Sequence, residues 1–170
     1  DGTIKVTDFG IARNFNSATR TMTEQAIGSV HYIAPEQAKG GNTDGKTDIY
    51  SVGVMMYEML TGKLPFVADN AVSVAIMQLQ STPKLPREIN PDIPQGLEEI
   101  TLHAMQKDPK DRYESAQAML NDIDRFRLNP SIVFGYSLPK PIEPKPAEKK
   151  REAKKKDETK RIFEEKKDYD

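Results

Sequence analysis

The apolar segment at residues 47–60 most constrains what this chain can fold into. Apolar side chains occur on every side of the helix it would form, and such a helix is predicted to be buried on all sides. Thr61 and Gly62 follow as a helix end, and Pro65 prevents its continuation. About 13 residues are too few to cross a bilayer, which takes about 20. The segment therefore predicts the central core helix of a mostly helical domain.

Three further segments show the spacing of amphipathic helices. Their predicted apolar faces are, in order, Val72, Ala75, Ile76 and Leu79; Leu97, Ile100, Thr101, Ala104 and Met105; and Ala116, Met119, Leu120, Ile123 and Phe126. Asp69 or Asn70 can cap the first of these helices, Asp108-Pro109 stops the second, and Ser115 can cap the third. Residues 3–7 instead alternate as a short strand. The core is thus predicted to contain at least four helices.

Composition divides the 170 residues into three parts. Residues 1–134 have a globular pattern, residues 135–147 are a Pro-rich extended linker, and residues 148–170 are almost wholly charged. The charged tail predicts a solvated helix or a disordered segment, and its basic clusters could contact anionic lipid. The net charge of −1 gives no bias toward nucleic acid. The absence of Cys excludes a disulfide framework, a thiolate metal site and a Cys nucleophile.

Two tripeptides bracket the stretch most suggestive of chemistry, Asp8-Phe9-Gly10 and Ala34-Pro35-Glu36. Asp8 follows the predicted strand, where a loop can direct its carboxylate. Between the tripeptides lie the hydroxyl residues Ser17, Thr19, Thr21 and Thr23. Either tripeptide alone is weak evidence, but the pair at this separation is typical of a protein-kinase activation segment.

Residues 1–134 resemble the helical C-terminal lobe of a eukaryotic-type Ser/Thr protein kinase. Residues 6–13 and 32–38 are most similar to bacterial membrane-anchored kinases whose outer part is a row of PASTA repeats. The resemblance implies a kinase fold that is α+β as a whole, of which this chain holds the mostly α lobe and lacks the N-terminal lobe. It also implies a fragment cut on its N-terminal side.

The resemblance implies a metal and a co-substrate. Asp8 would bind Mg²⁺ (or Mn²⁺) with ATP as co-substrate, because magnesium prefers carboxylate oxygen. Phe9 would pack into the core and set the direction of Asp8, and Gly10 would supply backbone freedom. The residues implied to bind the cofactor are therefore Asp8, Phe9 and Gly10.

Four residues receive supporting roles from the resemblance. Glu36 would be buried and paired with Arg112, a structural pair; a surface position is the alternative for Arg112. Asp48 would support the catalytic loop, or serve as a plain helix cap, or both. Ser29 stands where the family usually has Thr and would help to orient the catalytic loop, with a simple turn residue as the alternative.

The threonines of the bracketed segment are the candidate phosphosites, Thr19, Thr21 and Thr23. Phosphate there could order a loop by pairing with Arg, although each hydroxyl could equally be inert. The resemblance further implies a homodimer for trans-autophosphorylation. His31 lies in the predicted substrate-facing loop and His103 on a helix, and both are expected to have surface or packing roles.

The predicted function is that of a fragment of a Ser/Thr protein kinase acting on protein substrates at the cytoplasmic face of the cell membrane, with a membrane helix beyond residue 170. The Gly-rich loop, the strand Lys and the His-Arg-Asp motif of the family are not in this sequence. The chain alone is therefore expected to be inactive.

Two other readings compete with this one. A pseudokinase or docking module would keep the fold without catalysis, and the sequence upstream would distinguish it. A nucleic-acid binder is disfavoured because the tail has nearly balanced charge and few aromatics.

Overall fold

The computed structural model describes residues 29–140, and this part of the chain is mostly helical, as predicted. Within it the helices are α1 (Pro35–Ala38), α2 (Gly45–Thr61), α3 (Ala71–Gln80), α4 (Pro86–Ile89), α5 (Gln95–Ala104) and α6 (Ala116–Leu128). Two 3-10 turns, Ser29–Tyr32 and Pro109–Asp111, accompany them. The strand predicted at residues 3–7 and the tail from residue 141 lie outside the described residues. None of the helices described is long and apolar enough to span a bilayer.

Helix α2 is central and contacts α4, α5, α6 and the turn Ser29–Tyr32. It begins before residue 47 because the carboxylate of Asp44 caps it, accepting a hydrogen bond from the Lys46 N–H at 2.9 Å. It ends where predicted, at Gly62, whose φ of 67° lies in the left-handed region. Local end signals therefore set both limits of the central helix.

Helix α2 is not buried on all sides, contrary to the prediction. Val52, Met55 and Met59 are exposed, Met59 by 79%. Their spacing of three and four residues places them on one face, and Tyr50 and Val54 lie in the core on another. The neighbours of α2 among residues 29–140 cover only part of its circumference, so its apolar composition overstates its burial.

The backbones of α2 and α5 approach most closely at Gly53. A Cβ atom added there would lie 2.9 Å from both the Ala104 Cβ and the Met105 Cγ. Buried apolar residues form two clusters, one of Ala34, Tyr50, Val54, Tyr57 and Met105, the other of Ile49, Ile100, Ala104, Tyr113 and Met119. Helix α2 enters both clusters, and α5 enters the second directly and the first through Met105, the residue that follows it, so their crossing joins the two halves of the core.

Helix α3 has the predicted cap but not the predicted face. The Asn70 side-chain oxygen accepts a hydrogen bond from the Ser73 N–H at 2.8 Å. Val72 is 68% exposed, whereas Val74 and Gln78 are buried. The buried side contacts α1 and the turn Ser29–Tyr32. Gln78 can occupy the core because both ends of its amide have hydrogen-bond partners there.

Helix α5 buries the predicted side chains of Ile100, Thr101, Ala104 and Met105. It ends at Ala104 rather than at Asp108. The Asp108 carboxylate instead accepts a hydrogen bond from the Lys110 N–H at 3.0 Å, which caps the turn Pro109–Asp111. The Asp-Pro pair therefore starts a new turn after the helix has already stopped.

Helix α6 is capped by Ser115, as predicted, because its hydroxyl accepts a hydrogen bond from the Ala118 N–H at 3.2 Å. Its predicted face is only partly correct, since Met119 is buried but Ala116 and Leu120 are exposed. The Asp122 carboxylate is buried instead, because it accepts hydrogen bonds from two tyrosine hydroxyls.

The segment after α6 runs back over α5 and α6. The Tyr136 ring stacks on the His103 ring with centroids 3.9 Å apart. The Phe134 and Gly135 N–H groups donate to the Glu99 carboxylate at 2.5 and 3.1 Å. The domain boundary at residue 134 stays a prediction. Tyr136, which that boundary assigns to the linker, packs against the helices.

Candidate functional site

Glu36 lies in the first turn of α1, shortly after the turn Ser29–Tyr32. Pro35 begins α1, where its fixed φ is favourable and its missing N–H is not needed. The Ala34 N–H donates to the Gln37 side-chain oxygen at 2.9 Å, which closes the helix start. Thr47, in the first turn of α2, donates its hydroxyl to Glu36 Oε1 at 2.9 Å. The short helix thus presents Glu36 to the beginning of the central helix.

Arg112 binds the Glu36 carboxylate in a bidentate pair. Its Nη1 donates to Oε1 at 2.8 Å and its Nη2 to Oε2 at 2.7 Å. The Arg112 side chain is fully buried and that of Glu36 is 14% exposed. Two parallel N–H···O bonds specify orientation as well as charge. The pair therefore ties α1 to a loop 76 residues further along the chain.

The remaining donors of Arg112 bind main-chain carbonyls. Nε donates to the Gln106 oxygen at 2.6 Å, Nη1 to the Lys46 oxygen at 2.9 Å, and Nη2 to the Lys107 oxygen at 3.1 Å. With the two bonds to Glu36, all five N–H groups of the guanidinium are engaged. A lysine has three donors and no planar fork, so it could not reproduce this arrangement.

The charge state of Glu36 depends on Arg112. Burial alone would raise the pKa of Glu36, but the hydrogen bonds and positive charge of Arg112, with the Thr47 hydroxyl, outweigh it and lower the pKa below 4.5. Glu36 is therefore ionised at neutral pH and pairs as a carboxylate.

The lowered pKa predicts an acid-sensitive contribution to stability. Glu36 stabilises the fold fully above its unfolded-state pKa near 4.5, and this contribution is lost as the pH falls through its lower folded-state pKa. The unfolding free energy of the Glu36→Gln variant should approach that of the native chain as the pH is lowered below about 4. Urea denaturation at a series of pH values measures this.

A matched control is Glu114→Gln, because the Glu114 side chain is 87% exposed. The difference in unfolding free energy between Glu114→Gln and the native chain should stay constant across the same pH range. A constant difference between the native chain and Glu36→Gln down to pH 2 would contradict the prediction.

The turn Ser29–Tyr32 is fastened to three elements. The His31 carbonyl accepts from Gln78 Nε2 on α3 at 2.7 Å, and the Tyr32 carbonyl accepts from Ser51 Oγ on α2 at 2.8 Å. The Tyr32 hydroxyl donates to Glu58 Oε2 at 2.6 Å. His31 Nδ1 lies 3.2 Å from the Phe66 carbonyl and donates to it. The turn that precedes Glu36 is therefore held by side chains of the core.

Lys107 is a buried amine next to this network. Its Nζ donates to the Tyr50 hydroxyl at 3.3 Å and lies 4.3 Å from the centre of the Phe66 ring. Burial, and to a smaller extent the nearby Arg112 charge, together lower the pKa of Lys107 to about 7. The guanidinium of Arg112 lies 4.9 Å from the centre of the Tyr50 ring. Tyr50 thus connects the Glu36–Arg112 pair with Lys107.

His103 has a packing role. Its ring is stacked on Tyr136 and meets the edge of Tyr113 at a centroid distance of 4.4 Å. Burial lowers the pKa of His103, and the charges of Asp122 and Asp111 oppose that effect. This histidine belongs to the cluster that fixes the segment after α6.

The structure brings Glu36 and Arg112 together but does not bring Asp48 to them. The Asp48 side chain is exposed in the first turn of α2, whose cap is Asp44. Ser29 is in the turn Ser29–Tyr32. The predicted Asp8, Phe9 and Gly10 and the predicted phosphosites Thr19, Thr21 and Thr23 lie outside the described residues. Residues 29–140 contain no group of three or more acidic or histidine side chains that could hold a metal ion.

Sequence reasoning missed four members of this site: Thr47, Tyr50, Gln78 and Lys107. Gln78 carried a usable signal, since it is a polar residue within an apolar helix. Thr47 lies next to the start of α2, and its sequence position indicated a first-turn residue but not a partner of Glu36. Nothing in the sequence distinguished Lys107 from the neighbouring Lys110, which is exposed.

Comparison with known proteins gives consistent results. The sequence model of the protein kinase domain matches residues 1–122. The serine/threonine-protein kinase PrkC of Bacillus subtilis is 48% identical over 132 residues, which cover 75% of this chain and 20% of the relative. The probable serine/threonine-protein kinase CPE1738 of Clostridium perfringens is 43% identical, covering 78% of this chain and 19% of the relative.

A third relative carries a different name. The tyrosine-protein kinase MasK of Myxococcus xanthus is 42% identical over 125 residues, covering 74% of this chain and 19% of the relative. The chain therefore spans about a fifth of the length of these curated relatives.

Proposed function

Because the chain belongs to the protein kinase family, we propose that the whole protein is a serine/threonine protein kinase. It transfers the γ-phosphoryl group of ATP to Ser or Thr hydroxyls of protein substrates. The names of PrkC and CPE1738 support Ser/Thr specificity, and Ser29, where Ser/Thr kinases usually carry Thr, supports it further.

The observation that carries this proposal is the anchoring of residues 29–36. Glu36 is tied to the buried Arg112, and the preceding turn is fastened to α2 and α3. Phosphoryl transfer depends mainly on positioning and charge neutralisation, so a substrate-facing turn needs a rigid base. In this proposal the turn is the platform for the protein substrate.

Asp8, Ser29 and Asp48 have proposed roles near the chemistry. Asp8 binds Mg²⁺ (or Mn²⁺), and Phe9 and Gly10 set its direction; the ion supplies neutralisation of the phosphate charge when bound. Ser29 orients the catalytic loop and Asp48 supports it. The exposed position of Asp48 supports this role, because its carboxylate is accessible to another element.

Control is proposed to act through the segment before the turn. Phosphorylation of Thr19, Thr21 or Thr23, in trans within a homodimer, would add charge that orders this segment. The 170-residue chain by itself is proposed to be inactive, because the nucleotide Lys and the catalytic Asp of the family are not in its sequence.

A membrane location is the remaining part of the proposal. The charged residues 148–170 would lead to a membrane helix, which places the kinase domain at the cytoplasmic face. About 20 consecutive apolar residues after residue 170 in the gene are expected. A gene that ends at residue 170 would contradict this location and leave the kinase activity untouched.

Replacement of Asp8 tests the kinase proposal. The full-length protein with Asp8→Asn should transfer phosphate from ATP at least about 100-fold more slowly than the native protein, because a neutral amide is a poor magnesium ligand. The measurement is the initial rate of label transfer from γ-labelled ATP to protein, with identification of the phosphorylated residues by mass spectrometry.

The matched control is Asp69→Asn, since Asp69 is exposed beside the start of α3. Its rate should equal that of the native protein. A native full-length protein that transfers no phosphate would favour the pseudokinase reading. Transfer to tyrosine alone would contradict the proposed Ser/Thr specificity and favour the activity named for MasK.

A further inference from the structure

A buried chain of three polar side chains ends on the turn Ser29–Tyr32. Lys107 Nζ donates to the Tyr50 hydroxyl at 3.3 Å, and the Tyr50 hydroxyl donates to Gln78 Oε1 at 2.5 Å. Gln78 Nε2 then donates to the His31 carbonyl at 2.7 Å. All three side chains are fully buried. They come from α2, α3 and the loop after α5, so three separate parts of the core converge on one carbonyl of the turn.

The hydrogen-bond directions along this chain are determined by the His31 carbonyl. A carbonyl can only accept, so it needs the amide N–H₂ of Gln78, and Gln78 Oε1 is left to accept from the Tyr50 hydroxyl. The Tyr50 proton is thereby engaged with Gln78, so the Tyr50 oxygen accepts from Lys107. A flipped Gln78 amide would lose the bond to the His31 carbonyl.

Because these side chains are buried, a change in the orientation of the Gln78 amide would lower the stability of the fold. A buried polar group without a partner loses its hydration with no compensation, so each link has a strong preference for its present partner. The Phe66 carbonyl, which accepts from His31 Nδ1, fastens the same residue from a second direction. His31 is therefore held at its main chain by α3 and at its ring by the segment after α2.

We propose that Gln78 is a positioning residue for the protein substrate, oriented by Tyr50 and Lys107 and acting on the substrate-facing turn through the His31 carbonyl. This inference rests on the proposed kinase function. Gln78 acts through the turn and not on the transferred phosphate. Its effect is therefore expected on binding of the protein substrate and not on binding of ATP.

The test is steady-state kinetics of the full-length protein with Gln78→Met, which keeps the length of the side chain and removes both polar atoms. The KM for a Ser/Thr substrate peptide should rise roughly 3- to 10-fold, as expected for one lost hydrogen bond, while the KM for ATP stays unchanged. The control is Gln80→Met on the same helix, where the side chain is exposed and both KM values should stay unchanged.

Two further variants separate positioning from mere loss of folding. Tyr50→Phe keeps the ring under Arg112 and removes the hydroxyl, so the peptide KM should rise in the same direction but by less. Because both residues act through one bond, Tyr50→Phe should add no further increase in a Gln78→Met background. Amide hydrogen exchange at residues 29–33 should be faster in Gln78→Met and unchanged in Gln80→Met.

The outcomes are distinguishable. An active native protein whose peptide KM is unmoved by Gln78→Met and Tyr50→Phe would overturn this inference alone. Equal increases in the KM for peptide and ATP would also overturn it, since they indicate a general structural effect. A native protein without phosphotransfer would overturn the proposed function, and with it the premise of this inference.

Discussion

Replacement of Arg112 with Met is expected to lower the free energy of unfolding of the chain by about 3–5 kcal/mol. The variant leaves the mostly buried Glu36 carboxylate without its counter-charge and removes the donors to three main-chain carbonyls. A buried charge that loses its partner is among the most destabilising changes in a protein core. Urea denaturation followed by circular dichroism measures the difference.

A double-mutant cycle assigns the loss to the pair. Glu36→Met combined with Arg112→Met should destabilise the chain by about 1–3 kcal/mol less than the sum of the single changes, because the unpaired charge is gone. The control is Arg127→Met on α6, where the Arg127 side chain is 76% exposed and the change should stay within about 0.5 kcal/mol. An Arg112→Met variant as stable as this control would contradict a structural role for the pair.

Replacement of Gly53 with Ala is expected to destabilise the chain by about 1–3 kcal/mol, although alanine is normally the better helix residue. The new Cβ would lie 2.9 Å from the Ala104 Cβ and the Met105 Cγ. Met105 can move its side chain, but Ala104 Cβ is attached directly to the α5 backbone, so the two helices must separate. Gly53→Val should be more destabilising still. Thermal or urea unfolding provides the measurement.

Gly45→Ala is the matched control, since Gly45 is in the same helix and a Cβ there meets nothing within 4 Å. It should leave stability unchanged or raise it by up to about 1 kcal/mol. The two glycine changes in α2 are thus expected to have opposite signs. A Gly53→Ala variant more stable than the native chain would contradict the close approach of the α2 and α5 backbones at this position.

Local signals were the reliable part of the sequence analysis. Ser115 and Gly62 were identified as helix ends, as was either Asp69 or Asn70, and the structure confirms Ser115, Gly62 and, of that pair, Asn70. Caps depend on a few adjacent residues, so their chemistry can be read directly from the sequence. The mostly helical character followed from the same local patterns.

Helix faces were less predictable because they depend on distant partners. The apolar pattern of α3 favoured a face that includes Val72, which is exposed, while Gln78 is buried against the turn Ser29–Tyr32. Hydrogen-bond partners brought from α2 and the turn compensate the buried amide, and periodicity contains no information about them. Likewise, Met55 and Met59 are exposed although they lie in the predominantly apolar part of α2.

Long-range pairs were accessible only through the family resemblance. Glu36 and Arg112 are 76 residues apart, and no local pattern connects them. The contributions of Thr47, Tyr50 and Lys107 follow from how α2 and the loop after α5 meet, which is a property of the packed core. The roles of Asp8, Thr19, Thr21 and Thr23 remain proposals.

We propose that the Glu36–Arg112 pair anchors the platform on which the full-length protein binds its protein substrate. The most direct measurement is the initial rate of peptide phosphorylation by the full-length native protein, Arg112→Met and Arg127→Met, at a temperature where circular dichroism shows each to be folded. Arg112→Met should be at least about 10-fold slower than the other two, because a displaced platform misplaces the substrate. A folded Arg112→Met protein with the native rate would contradict the claim.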